Sequence, residues 1–288
     1  MAKTTRTTVN VTPTRAREIL EESAASGYEN FRSVNEDRVA VLAGDINKKS
    51  WQYNGDPIRI GRKGELLDGQ HRLRACIKSG KTIKTDIVAG LDPHVVEETV
   101  DMGQRRTFGQ LLAHRGEPYA QDLAAVIRRI WVWQHSRSGG FGSSGGNNRA
   151  ISVSDLLGAL RRHGRVRDFV AAAGNYKPVI STLPAAFATY MGTRAASLDE
   201  AYRDDFLTGI GKGIDLKAGD PRLVLRNELL RQKSRPSHDP MRWGSMQLQA
   251  CTIKAWNAWL LGNSVNLRAI RWASAKEKFP TFLKEGDV

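Results

Sequence analysis

The stretch Leu66-Leu67-Asp68-Gly69-Gln70-His71-Arg72-Leu73-Arg74-Ala75 constrains this chain more than any other. A short apolar run ends in Asp-Gly and a basic, helix-forming segment begins at once, so the backbone must leave a strand and enter a helix with almost no connection. Upstream, Ile58-Arg59-Ile60 alternates like a strand and Gly61-Arg62-Lys63-Gly64 reads as a hairpin turn. That makes Glu65–Asp68 the returning strand. Asp68, His71 and Arg72 thereby gather beside a glycine that lets the backbone approach a ligand closely. A strand–glycine–helix junction directs N–H groups and a positive helix end at whatever lies above it, which favours phosphate or carboxylate. Arg72 can add a bidentate contact to the same anion. His71 can bridge to a phosphate or carry a proton near neutral pH. Two roles stay open for Asp68: fixing His71 by a hydrogen bond, or holding a Mg2+ that accompanies a nucleotide. A plain structural turn, with His71 and Arg72 in solvent, accounts for the same residues.

The elements around this junction alternate. Residues 1–8 read as a Thr-rich basic tail without order. Thr12 or Thr14 caps a helix over 14–26 that Gly27 stops, and Asn35 caps a second helix from Glu36 to about Lys48, with Val39, Leu42 and Ile46 at helical spacing. The motif helix runs from His71 to Lys78, Thr82–Val88 is a strand, and Asp92-Pro93 opens another helix. Thr107 caps a helix to His114. Beside it stand Arg105 and Arg106, an arrangement suited to completing a phosphate site, to a nucleic-acid backbone, or to a solvated cap.

From about residue 120 the strand signals fade. Asp122–His135 is helical, and Ser136–Asn148, with five glycines, reads as a loop or lid. Ser154 caps Asp155–His163, and helices follow at 166–173, 183–191, 198–207, 223–231 and 246–261. Gly209-Ile210-Gly211-Lys212-Gly213 lacks the Gly-Lys-Ser/Thr ending of a P-loop. Trp131, Trp133, Trp256 and Trp259 suit a helical core better than base stacking. His163 and His238 have no ligand-like neighbours in the sequence.

Charge sharpens this division. The net charge of +14 splits into +3 over residues 1–119 and +11 over 120–288. A basic excess raises affinity for polyanions by counterion release, although surface solubility charge has the same signature. Arg161, Arg162, Arg165 and Arg167 form the densest cluster and are the expected phosphate-backbone contacts. No apolar run approaches the roughly 18 residues of a membrane span, and no signal peptide is read at the N-terminus. Cys76 and Cys251 are far apart and outside any CxxC pattern. They fit reduced thiols, hence a cytoplasmic setting, and no zinc site is expected.

The motif Asp68-Gly69-Gln70-His71-Arg72-Leu73-Arg74-Ala75, with a preceding helix carrying Asn35, Arg38, Val39 and Leu42 and then the Ile58–Ile60 strand, resembles the ParB/sulfiredoxin-like superfamily over roughly residues 28–115. Members read Gly-Glu-Arg-Arg, Gly-Gly-Cys-His-Arg or Asp-Gly-His-His-Arg at this point. Phage-type ParB-like proteins, with Asp-Gly-Gln-His-Arg-Leu and a longer helical C-terminal region, are similar in particular. The resemblance implies an α+β protein: a tail and helix over 1–27, a ParB/sulfiredoxin-like α/β domain over 28–118, and an all-helical basic domain over 119–288. It implies a site for ATP or CTP with Mg2+, in which Gly69, Gln70, His71 and Arg72 surround the phosphates and Arg105, Arg106 and Thr107 complete it. Glu36, Asp68 and His71 are the expected catalytic set, Glu36 as base.

Gln70 stands where sulfiredoxins have their cysteine, so sulfinic-acid reduction is not expected. His71 stands where partition proteins have a second arginine, and residues 152–173 carry no clear recognition helix. The kinase-type branch is the nearest in pattern. The expected function is therefore NTP-dependent phosphotransfer to a nucleic acid or nucleotide-like acceptor, in one version a hydroxymethylated base of phage DNA. The alternatives are a DNA-binding switch controlled by ATP or CTP, and a ParB-like nuclease, for which no acidic cluster is present.

Overall fold

Residues 5–8, expected to belong to a loose tail over 1–8, form with residues 9–11 the outer strand of a sheet. In the computed structural model, which describes residues 4–29, 33–99, 107–136 and 151–288, this strand, β1 (Thr5–Val11), pairs antiparallel with β4 (Ile83–Leu91). β2 (Ile58–Gly61) runs parallel to β4, and β3 (Leu66–Asp68) runs antiparallel to β2, giving the order β1-β4-β2-β3. The physical reason for the ordered N-terminus is Asp86, whose side chain is 2% exposed. A carboxylate cannot remain there without donors. Arg6 supplies Nε at 2.8 Å and Nη2 at 2.5 Å, Thr8 its hydroxyl at 2.6 Å, and Tyr53 its phenol at 2.9 Å. The alternation of β-branched residues, ending in the buried Val11, completes the strand.

Helices α1 (Pro13–Ala25), α2 (Glu36–Asn47), α3 (Gln70–Ser79) and α4 (Pro93–Thr99) complete the first set of elements. Thr12 caps α1 by accepting from the Arg15 N–H, and Asn35 caps α2 by accepting from the Arg38 N–H. One apolar cluster unites Val11, Ile19, Val39, Ile46, Ile58, Leu73 and Ile83. Each large aliphatic side chain so buried contributes about 1.5–3 kcal/mol. The first unit therefore takes in the N-terminal residues expected to stand apart. It comprises Met1–Arg105 with Arg149–Asp155, and the second comprises Arg106–Asn148 with Leu156–Val288.

Among its described residues the second unit contains helices and no strand. They are α5 (Phe108–His114), α6 (Ala120–Gln134), α7 (Val153–Arg162, from Leu156 in this unit), α8 (Val166–Gly174), α9 (Thr182–Ala195), α10 (Glu200–Lys212), α11 (Pro221–Ser234), α12 (Ser245–Leu260) and α13 (Leu267–Ile270). α9 is buried on nearly all sides and is the axle of the bundle. A Cβ on its Gly192 would lie 2.2 Å from Nε1 of Trp256, so the glycine sets how near α12 can come. Trp256 meets Phe206 and Trp259 edge-on or tilted, which makes these rings core. The Gly209–Gly213 string falls within α10 and its C-cap. The cap of α7 is Ser152, whose hydroxyl accepts the Asp155 N–H at 3.0 Å, and not the expected Ser154. The Gly/Ser stretch falls almost wholly outside the described residues. No helix among the described residues is long and apolar enough to cross a membrane.

Both thiols are buried. Burial pushes the Cys76 thiol up, and the Cys251 thiol is pushed up to about 11, chiefly by burial. Hydrogen bonds from Thr8 and Arg6 hold the Asp86 carboxyl below its usual range. Because the folded value is depressed, the stabilisation is fully present above the ordinary carboxylate value of about 3.9 and is lost as pH falls through the lower folded value. Thermal melts from neutral pH to about pH 3 should therefore show an acid decline that Asp86→Asn flattens, with a lower Tm for the variant at neutral pH. An unchanged Tm would mean that β1 is not anchored by this carboxylate.

Candidate functional site

Gly69 is the N-cap of α3, at φ +107°. Only glycine adopts that backbone readily. A Cβ there would sit 2.9 Å from Cγ1 of Ile58, a side chain with no exposure. The missing side chain thus makes room for the core strand β2, where the sequence suggested room for a ligand. The junction then sets the face of α3: Leu73, Ala75 and Cys76 turn inward and Arg74 outward.

The charges at the junction are mutually engaged. Arg59 and Asp68 are cross-strand partners in the β2–β3 hairpin, and Nη1 of Arg59 donates to Oδ2 of Asp68 at 2.5 Å. Nη2 of Arg72 donates to the same oxygen at 3.3 Å and to the carbonyl of Pro57 at 2.6 Å, while its Nη1 donates to the carbonyl of Asp56 at 2.5 Å. The Arg72 side chain is only 13% exposed. Two expected roles change as a result. Asp68 does not stand as a free metal ligand, because its carboxylate is the counter-ion of two arginines. Among the described residues no three His, Cys, Asp or Glu side chains cluster as metal ligands. A Mg2+ held by Asp68 does not fit this arrangement. Arg72, expected on a phosphate, binds two carbonyls whose loss of a donor would be costly.

His71 has a different partner. Its Nε2 accepts the backbone N–H of Asn35 at 3.0 Å, which places the proton of the neutral ring on Nδ1. This bond joins residues 36 positions apart and sets the N-terminus of α2 beside that of α3. Glu36, the first residue of α2, is exposed next to that bond, and Gln70 is buried at the start of α3. Two neighbouring positive helix ends suit the phosphates of a nucleotide. The acids Glu36 and Asp37 in the first turn of α2 partly offset that field.

The remaining expected residues fall elsewhere. Arg105 and Arg106 lie outside the described residues. Thr107 belongs to the second unit and caps α5 in a full capping box with Gln110. In the arginine cluster, Arg167 binds Glu117 through two nitrogens and Arg165 pairs with Glu200. Arg161 and Arg162 are exposed, with no carboxylate at ion-pair distance among the described residues. Sequence reasoning missed Arg59 and the Asn35 N–H. The first was discoverable, since the hairpin register places Arg59 opposite Asp68.

No family model matches this chain, and no curated protein matches it. Among solved structures it is similar to a Pnob8-like ParB-N domain, at 17% identity over 81% of this chain and 98% of that one, with a TM-score of 0.22. A superposition that loose does not bear on function.

The geometry makes Gly69 and Arg72 structural before they are anything else. Gly69→Ala should cost about 2–4 kcal/mol, from backbone strain and the clash with Ile58. Arg72→Ala should cost about 2–3 kcal/mol, from the carbonyls and carboxylate it leaves without a donor. Urea midpoints at unchanged m-values measure both, and a midpoint unmoved in either variant would refute its assigned role.

Proposed function

We propose that the protein binds a nucleoside triphosphate at the adjoining N-termini of α2 and α3 and transfers its terminal phosphoryl group to a nucleic acid or nucleotide-like acceptor. The observation that carries this reading is the bond from the Asn35 N–H to Nε2 of His71, which brings two helix ends and the exposed Glu36 together. Helix N-termini stabilise anionic phosphates, and phosphoryl transfer depends mainly on positioning and charge stabilisation. The resemblance of Asp68–Ala75 to a kinase-type motif points the same way. The triphosphate supplies the phosphoryl group and the charge that these helix ends meet.

The chain's own residues divide the work. His71 holds α2 against α3 and so fixes the width of the anion site. Glu36 accepts the proton of the acceptor hydroxyl, a role open to it because its side chain stands in solvent. Arg59, Asp68 and Arg72 hold the junction rigid. No step is assigned to a metal on Asp68, which does not fit one. The acceptor would be a polyanion gathered by the basic second unit.

One observation favours a second reading. Asp68, Arg59 and Arg72 satisfy one another, as in a site that binds a nucleotide without turning it over. The protein would then be a DNA-binding switch set by ATP or CTP.

Incubation with γ-labelled ATP or CTP and DNA separates the two. Label on the DNA is expected, and Glu36→Gln should lower the transfer rate about 10²–10⁴-fold without moving the melting temperature. Binding without label on DNA would establish the switch instead. Transfer that survives Glu36→Gln would remove Glu36 as the base.

A further inference from the structure

The helical second unit holds a cavity of about 450 Å³ between α7, α8, α9 and the start of α10, lined by Arg162, Arg165, Phe169, Tyr190 and Arg194 among others. This is within the roughly 300–1,000 Å³ of pockets that take small organic ligands. We propose that this cavity is an organic-phosphate site, which takes a nucleoside monophosphate or one nucleotide unit of a strand, with the phosphate on Arg162 and Arg194 and the apolar body against Phe169 and Tyr190. The inference does not depend on the nucleotide site at α2 and α3.

The charge balance comes first. Two carboxylates line the cavity, and both are engaged. Asp199 caps α10 by accepting the Ala201 N–H at 2.8 Å, and Glu200 takes Arg165 on one oxygen and Arg203 on the other, the latter at 2.9 Å. Arg162 and Arg194 are exposed, and no carboxylate pairs with either among the described residues. Two guanidiniums without a counter-ion at one mouth are a strong attraction for a phosphate, which both can meet through two N–H groups.

The floor supplies the rest. Tyr190 and Phe169 meet edge-to-face at 5.2 Å, with the Arg203 guanidinium 4.8 Å above the Phe169 ring. They line the cavity as a rigid, largely buried aromatic pair. Behind it, His163 is 3% exposed, with Nδ1 2.9 Å from the Tyr190 hydroxyl and Nε2 against the Gln134 amide. Burial, and then the charges of Arg194 and Arg162, hold the His163 ring below its usual value. The imidazole thus already stands in the uncompensated positive field that a phosphate would relieve.

Calorimetry on the full chain tests this with inorganic phosphate, adenosine and cytidine monophosphate, and a short single-stranded oligonucleotide. Saturable binding of a monophosphate is expected, weakened about tenfold or more by Arg162→Ala/Arg194→Ala at an unchanged melting temperature, since both side chains are exposed. Tyr190→Phe should keep phosphate binding. His71→Ala should leave it untouched, which separates this cavity from the α2–α3 site. If only the oligonucleotide binds, and the double variant abolishes that binding, the phosphate comes from a strand. If no probe saturates, or the double variant binds as the wild type does, the proposal is wrong.

Discussion

One carboxylate oxygen, Oδ2 of Asp68, receives two guanidiniums, and the junction at the centre of the first unit depends on that sharing. Arg59 ties the oxygen to β2 and Arg72 ties it to α3. Arg72 also reaches back to the carbonyls of Asp56 and Pro57, which lead into β2. Strand, turn and helix are thereby locked around Gly69. Its left-handed backbone lets β3 end and α3 begin with this single residue between them. A buried or half-buried ion cluster of this kind adds little net stability but penalises any rearrangement that separates its members. Rigidity rather than reactivity is what these charges supply.

That placement moves the chemistry outward by one side chain. In the proposed nucleotide site the phosphates would lie beside helix N-termini, His71 and Glu36, because Arg59 and Arg72 are engaged at the junction. The same logic runs through the second unit, where Arg165 and Arg167 are consumed by Glu200 and Glu117 while Arg162 and Arg194 meet no carboxylate among the described residues. In both units a count of arginines overstates the positive charge available to a ligand. Only the residues whose acids lie elsewhere contribute.

Much of the first unit was legible in the sequence. Asn35 announced its helix through the acceptor side chain, the Gly61–Gly64 turn announced the hairpin, and Asp68-Gly69 marked the strand-to-helix switch. The strand at Thr5–Val11 was not, because threonines and an arginine read as a solvated tail until Asp86, some eighty positions on, is known to be buried. Asp86 sits in a β-branched run, Thr85–Val88, where an acid is out of place, and that was the available signal. The pairings of Arg165 and Arg167 depend on acids 35 and 50 positions away, which no local pattern reports. The role of His71 was hidden for a related reason. Its partner is a backbone N–H, and main-chain groups carry no sequence identity.

Each unit carries one thiol, and both are buried with their ionisation suppressed. A thiol in that state reacts with an alkylating reagent only when its surroundings open. The chain is consequently fitted with two internal clocks, Cys76 for the α/β unit and Cys251 for the helical one. Their labelling rates, followed peptide by peptide, time the opening of each half without any engineered probe. A ligand that binds one half alone would slow only the clock in that half.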